Sequence, residues 1–343
     1  MFQKLKDNKD KILRGLFFLG IFIFGFFTTY LSLKTFNPFK KTSPSINLYT
    51  NATPEPIDEE KGVFNILLLG YGGAGHSGGG LTDSIIVAHI NTNTKKYALV
   101  SIPRDMWTQN GRKINAEASV NGFPSVGASI QGVTDLSIDN YVAIDFSNFT
   151  KMIDNLGKIE VSVPAAFTDS FYPIPGLENE TCGITEEEIF VFKNKYSGFD
   201  LEKQFTCRYE KISYDKGPAT LTGTEALKFV RSRHGDSDFG RSARQFAVLK
   251  GIVQELISLK SLNKLDETVG ILTEMIKTDL TLGKIKTLIE VFGDPSGYSS
   301  TEIQLTTENV LNEGKSSDGQ YILYPKAGMT NFTEVKNYIK GQI

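Results

Sequence analysis

Residues Val63 to Leu69 read VFNILLL and run directly into Gly70. Successive side chains of a strand point to opposite faces, so a strand that is apolar on both faces needs both sides of its sheet covered. That single segment excludes a one-layered or solvent-faced sheet. Around it, Ser84–Ile90 and Tyr97–Ile102 read as two further strands, joined by the polar turn Asn91-Thr92-Asn93-Thr94 and able to pair antiparallel. A mixed helical stretch is expected around Asn115–Leu136, then a strand at Tyr141–Ile144 and a helix at Phe146–Leu156 closed by Gly157. Lys158–Val163 alternates as a strand. Strands and helices interleave, which predicts a layered α/β domain.

Ahead of this domain, Gly15–Leu33 is uncharged and dominated by Phe, Ile and Leu. A helix needs about 20 such residues to cross the hydrocarbon core. Lys4, Lys6, Lys9, Lys11 and Arg14 precede it, so the positive-inside rule keeps residues 1–14 in the cytoplasm and places the rest of the chain outside. No small-x-small site follows, so the span reads as a retained anchor rather than a cleaved signal. Residues 34–61, rich in Pro, Ser, Thr and Asn, read as a flexible stalk. The folded part is expected to occupy 62–343. Only two cysteines are present, Cys182 and Cys207, and outside the cytoplasm they are expected to pair.

The stretch Pro164–Gly217 that holds them shows no regular period. Beyond it, Thr222-Gly-Thr-Glu225 forms a capping box opening a helix, and a second helix spans about Arg241–Leu259. Helices are further expected around Asp266–Lys277, Lys284–Phe292 and Phe332–Ile339, and strands at Thr301–Thr306 and Tyr321–Leu323.

The net charge of −2 excludes a global basic field, and a single aromatic residue, Phe239, falls among the arginines rather than a series of them, so nucleic acid is not an expected partner. Any anion site must be local. Three segments offer one. The glycine-rich loop Gly70–Gly80, with Gly72 and Gly73, could bring backbone N–H groups against a phosphate. It lacks the Lys-Ser/Thr of a P-loop. Asp83 beside it could hold a hard divalent ion, with waters and phosphate filling the remaining positions. The second segment, Ser101-Ile-Pro-Arg104-Asp105, ends a strand, where catalytic side chains collect; Lys113 and Asn115 could join the same mouth. The third holds Arg231, Arg233, Arg241 and Arg244 within fifteen residues at a helix–loop–helix junction. Arg241, Arg244 and Gln245 are spaced to share one face at a helix N-terminus, where the dipole favours an anion. Guanidinium forks grip phosphate bidentately, so the cluster points to a ligand with several phosphoryl oxygens, such as a pyrophosphate. Asp236 and Asp238 could orient the arginines or complete a metal site.

Together, Thr82-Asp-Ser-Ile85, Ser101–Asp105, Lys113-Ile-Asn-Ala116, Ile138-Asp-Asn-Tyr141, Glu225–His234 and the Arg241–Gln245 block resemble the LytR-CpsA-Psr family of cell-envelope proteins, over a motif core of 62–259. The resemblance implies an α/β/α sandwich around a mixed sheet, with a long apolar pocket for a polyprenyl tail. It implies a phosphotransferase that moves a glycopolymer from a polyprenyl-pyrophosphate carrier to a peptidoglycan hydroxyl, with Mg²⁺, beside the membrane. On matching positions, Arg104, Arg231, Arg233, Arg241 and Gln245 would grip the pyrophosphate and Asp83 would take the metal, while Asp105 would either orient Arg104 or act as base. Lys113, Asn115, Arg244, Gly72 and Gly73 would contact substrate. The chain departs from the family's pattern at Gly72, where many members carry Asp, and at Leu81, where they often carry Arg. His76, Asp105 or substrate oxygens would have to compensate. A pyrophosphatase acting on the same donor, or a non-catalytic module that binds envelope polymer, are the alternatives the residues leave open.

Overall fold

The computed structural model describes residues 62–76, 78–235, 238–261, 275–281 and 298–343. The expected anchor at 15–33, the stalk at 34–61, the helix at 284–292 and Asp236 lie outside these residues. No helix among the described residues is long and apolar enough to cross a membrane.

A six-stranded mixed sheet forms the centre. In chain order its strands are β1 (Val63–Tyr71), β2 (Thr82–Asn91), β3 (Lys96–Ser101), β4 (Asn140–Asp145), then β9 (Ile276–Thr278) and β10 (Ser299–Gln304). Their spatial order is β10-β3-β2-β1-β4-β9. The β1/β2 and β2/β3 pairs are antiparallel, as the short turn between them predicts, while β4 runs parallel to β1. Within β1, Ile66 and Leu68 face one core and Leu67 and Leu69 the other. This is the two-sided burial that the apolar run requires.

Helices cover both faces. On one side lie α3 (Phe146–Asn155), α6 (Gly223–Arg231) and the 24-residue α7 (Asp238–Ser261), contributing Met152, Ile153, Phe229, Phe246 and Ile252 to the core. On the other lie α2 (Phe123–Thr134) and α8 (Thr333–Lys340), contributing Val126, Ile130, Val335 and Ile339. Gly122, at φ +79°, separates α2 from the short α1 (Glu117–Asn121) and divides the expected helical stretch in two. The capping box at the start of α6 is present in both directions: Thr222 Oγ1 accepts from Glu225 N, and Glu225 accepts from Thr222 N.

Two expectations fail. The segment read as irregular contains β6 (Phe167–Pro173) and β7 (Tyr209–Tyr214), which pair with each other, and β8 (Gly217–Leu221), which pairs with β5 (Ile159–Val163), starts where it ends. A register shift between Asp169 and Tyr172 breaks the alternation of β6, and β8 opens on Gly-Pro, so neither shows a clean period-two pattern. The helix expected to reach Lys277 is overturned at its end, because Ile276–Thr278 pairs with β4 as an edge strand. The hairpin strand β11 (Leu311–Lys315), partner of β12 (Tyr321–Pro325), was also not foreseen; its one buried residue is Leu311.

Between β6 and β7 the chain makes an excursion holding α4 (Glu186–Lys195) and the short α5 (Phe199–Glu202), closed by the Cys182–Cys207 disulfide. No residue of α4 is buried, and Phe190 is 68% exposed, so little packing supports this helix. Closing a loop of 25 residues stabilises by about 3 kcal/mol in the chain-entropy model. Replacing both cysteines with serine is therefore expected to lower the urea midpoint by the equivalent of about 3 kcal/mol. Limited proteolysis of the same variant should cut first between residues 183 and 206.

Candidate active site

The polar residues singled out in the sequence meet at the ends of β1–β3 and the N-terminal turn of α7, around a cavity of about 410 Å³. Its two ends differ in chemistry. Leu68, Ile86, Phe149, Val230, Val248 and Ile252 line one part; Asp83, Ser84, Arg104, Arg231, Arg241 and Gln245 line the other. Arg233 lines it as well.

Arg104 stands where β3 ends at Ile102-Pro103, and its Nη1 donates to Asp83 Oδ1 at 2.6 Å. Its Nε is buried without a hydrogen-bond partner, 3.5 Å from Asp105 Oδ2. Burial works against the Arg104 charge, but the Asp105 and Asp83 carboxylates outweigh it and raise its pKa.

On the opposite wall, Arg231 ends α6. Its Cζ lies 4.2 Å over the Phe146 ring, and its Nη2 is 3.2 Å from His76 Nε2. Arg241 sits in the first turn of α7, where the helix dipole favours an anion. Gln245 Oε1 accepts from the Ser84 hydroxyl at 3.2 Å, and Ser101 and Ser242 hydroxyls lie 3.0 Å apart, so the start of α7 is tied to β2 and β3.

Other sequence-predicted residues take supporting places. Asp105 is bound by Lys113 Nζ at 2.8 Å, and both stand behind Arg104, outside the cavity lining. Asn115 is buried; its N–H donates to the Arg104 carbonyl and its own carbonyl accepts from Thr82. The Gly73 N–H donates to the Gly79 carbonyl at 2.9 Å, closing the glycine loop on itself, and neither Gly72 nor Gly73 lines the cavity. Arg244 departs furthest from the expectation. It is 1% exposed, with Nε donating to the Phe229 carbonyl at 2.7 Å and Nη2 to the Ser232 carbonyl at 2.8 Å. Its guanidinium lies 4.3 Å from the Phe167 ring centre. Arg244 thus holds the chain segment that carries Arg231 and Arg233.

Asp169, which the sequence reading passed over, does the same from β6. It is 1% exposed, and its Oδ2 accepts from the Ser232 hydroxyl and from the N–H groups of Arg233 and His234. Its other oxygen accepts from Phe171 N. Burial pushes its pKa up, but the Ser232 bond and three backbone N–H bonds prevail and hold it below the usual carboxylate value. An Asp between Phe and Tyr residues in a strand, where Asp is disfavoured, was the available signal.

Among the described residues no group of three or more His, Cys, Asp or Glu gathers to hold a metal. Asp83 is the carboxylate that the cavity offers, since the oxygens of Asp169 are committed. That donor set fits a hard divalent ion only if water and a bound phosphate complete its coordination, an arrangement common for Mg²⁺.

One cavity is thus lined both by apolar side chains and by several guanidiniums. The match to known proteins gives the protein its family: the LytR_cpsA_psr family model covers residues 27–337, and the chain belongs to that family. It is 24% identical to the polyisoprenyl-teichoic acid–peptidoglycan teichoic acid transferase TagU of Bacillus licheniformis, over 98% of this chain and 97% of that one. It is 29% identical to TagU of Oceanobacillus iheyensis, over 76% of this chain and 71% of the relative. Among solved structures, Bacillus subtilis TagV superposes with a TM-score of 0.55 at 25% identity, covering 82% of this chain and 97% of that one. B. subtilis TagU shares the fold, with a TM-score of 0.52 at 22% identity over 81% of this chain and 96% of that one.

The two helix α7 arginines are expected to separate by experiment. Arg244→Met should cost on the order of 3 kcal/mol of stability, from two buried charge-assisted bonds, and appear as a lower melting temperature. Arg241→Ala should leave melting unchanged and abolish binding of a pyrophosphate-bearing lipid. For Asp169, a depressed folded-state pKa means that its stabilisation is complete above the unfolded value near 3.9 and fades as pH falls through the lower folded value. Asp169→Asn should therefore destabilise the protein at neutral pH and flatten its loss of stability in acid, read from denaturant titrations between pH 2 and pH 7.

Proposed function

We propose that this chain is a phosphotransferase that moves a glycopolymer from a polyprenyl-pyrophosphate carrier onto a hydroxyl of peptidoglycan or a related wall acceptor. The observation that carries this reading is the division of one cavity into an apolar part and an arginine-lined mouth. Polyprenyl chains match the first and a pyrophosphate the second. The names of the relatives point the same way, since several are transferases of polyisoprenyl-linked teichoic acid to peptidoglycan.

In this reading Arg104, Arg231, Arg233 and Arg241 bind the pyrophosphate, and Gln245 adds an amide. Phosphoryl transfer needs chiefly positioning and neutralisation of charge on the phosphoryl oxygens. Guanidiniums supply both, and keep their charge at any working pH. Asp83 orients Arg104 and would hold Mg²⁺ together with phosphate oxygens. That ion, when bound, would neutralise part of the charge on the pyrophosphate. Asp105 and Lys113 keep Arg104 in place from behind. A membrane anchor at 15–33, with the amino terminus in the cytoplasm and the domain outside, would raise the effective concentration of a lipid-borne donor.

The test is to incubate the full chain, in detergent micelles, with a polyprenyl-pyrophosphate-linked glycan, peptidoglycan fragments and Mg²⁺, following products by mass. A glycan–phosphate–peptidoglycan adduct is expected, lost in Arg241→Ala, and Mg²⁺ should bind the protein measurably by calorimetry only when the pyrophosphate lipid is present. Donor cleavage with no adduct from any acceptor would favour a hydrolase, and tight binding of an intact donor would leave a binding module.

A further inference from the structure

A transfer to a hydroxyl needs a group to take the hydroxyl proton, and among the described residues the carboxylates of the site are engaged elsewhere. Asp83 holds Arg104. Asp169 accepts from the Ser232 hydroxyl and from three backbone N–H groups. Asp105 lies between Lys113 and Arg104, off the cavity wall. Of the two imidazoles on that wall, His234 is stacked flat on Phe199, with ring centres 3.9 Å apart.

His76 is placed differently. It projects from the glycine-rich loop, and its ring lies directly over Gly72. A Cβ at position 72 would come within 2.8 Å of Nδ1 and 2.9 Å of Cγ, so a side chain there would require the imidazole to shift. Phe146 meets the ring edge-on at 5.3 Å. Though exposed, the side chain is therefore seated between two fixed elements. Its Nε2 faces Arg231 Nη2 at 3.2 Å. A guanidinium has only donors, so Nε2 must be the acceptor and the ring is neutral, with its proton on Nδ1.

We propose that His76 is the general base of the transfer, accepting the proton of the incoming wall hydroxyl on Nε2. This rests on the transferase reading above. When the pyrophosphate binds, the Arg231 guanidinium turns to it and Nε2 exchanges one donor for another, from Arg231 to the hydroxyl. The hydroxyl oxygen then forms a bond to the phosphorus that carries the glycan. The bond from that phosphorus to the bridging oxygen breaks with its electron pair, polyprenyl phosphate leaves, and the proton stays on His76 until solvent removes it. Two charged groups stand near the ring, Arg231 and, from the β6–β7 excursion, Glu178.

The test compares wild type, His76→Gln and His76→Ala in the adduct assay from pH 5 to pH 9, with donor-lipid affinity measured in parallel by calorimetry. Wild type should lose kcat/KM tenfold per pH unit on the acid side of its profile, as a single general base requires. Both variants should bind the donor as wild type does, fall about 10²- to 10⁴-fold in kcat at pH 8, and lack that acid limb. Glutamine can still accept from Arg231. A His76→Gln enzyme with wild-type rate and an unchanged acid limb would therefore overturn the proposal and leave His76 as a positioning residue for Arg231. Wild type forming no adduct at all would sink the transferase reading and the base with it, whereas an adduct made equally well by both variants would sink the base alone.

Discussion

The turn between α6 and α7 carries the arginines, and it is fixed from two sides by buried charge. From within α7, Arg244 donates to the carbonyls of Phe229 and Ser232. From β6, Asp169 accepts from Ser232 and from the N–H groups of the next two residues. One charged group collects carbonyls at the end of a helix and the other collects amides just beyond it. Buried backbone groups must find partners, so this pair answers the need that arises wherever a helix ends inside a structure. Residues 232–234 are consequently a mount held from two sides, and Arg231 and Arg233 within or beside them line the cavity. A site intended to grip a flexible, highly charged head group gains from such preorganisation, because no ordering cost is left for the moment of binding.

The elements that surround this mount were legible in the sequence to different degrees. β1 announced itself because six of the seven residues from Val63 to Leu69 are apolar, and two-sided burial followed from that alone. The capping box at Thr222 marked the start of α6, and the apolar spacing of Phe246 and Leu249 marked α7. Arg104, Arg231 and Arg241 reach one cavity, as their clustering suggested. Arg244 shows where helical spacing becomes ambiguous. From Arg241, three residues advance about 300° and four about 400°, so Arg244 and Gln245 fall on either side of it, about 100° apart. The boundary between cavity and core runs through that gap. Nothing local to the sequence says on which side of it a guanidinium will lie.

Asp169 was less legible still, because its role depends on a partner 63 residues away. The strand that carries it has a register shift at that point, and the irregular alternation hid both the strand and the one residue in it whose chemistry matters. Tertiary partners of this kind leave only a negative trace in a sequence: a β-disfavoured residue among aromatic ones. Lys113 and Asn115 illustrate the reverse case. Their types suggested ligand contact, yet they hold Asp105 and the Arg104 backbone, one layer behind the cavity.

The charge balance of the site explains how so few acids can serve it. Each guanidinium keeps its proton throughout the working range, so the grip on an anion needs no metal to establish it. The carboxylates then have a different task. Asp83 and Asp105 flank Arg104 and hold its pKa up against burial, which lets a cation stay partly buried beside the apolar part of the cavity. On the proposed reading, a pyrophosphate would bring the oxygens to share with a divalent ion. Asp83 faces Arg104, and a metal there would have to compete with a guanidinium 2.6 Å away. Donor and metal should for that reason enter as one unit, each supplying charge that makes the site hospitable to the other.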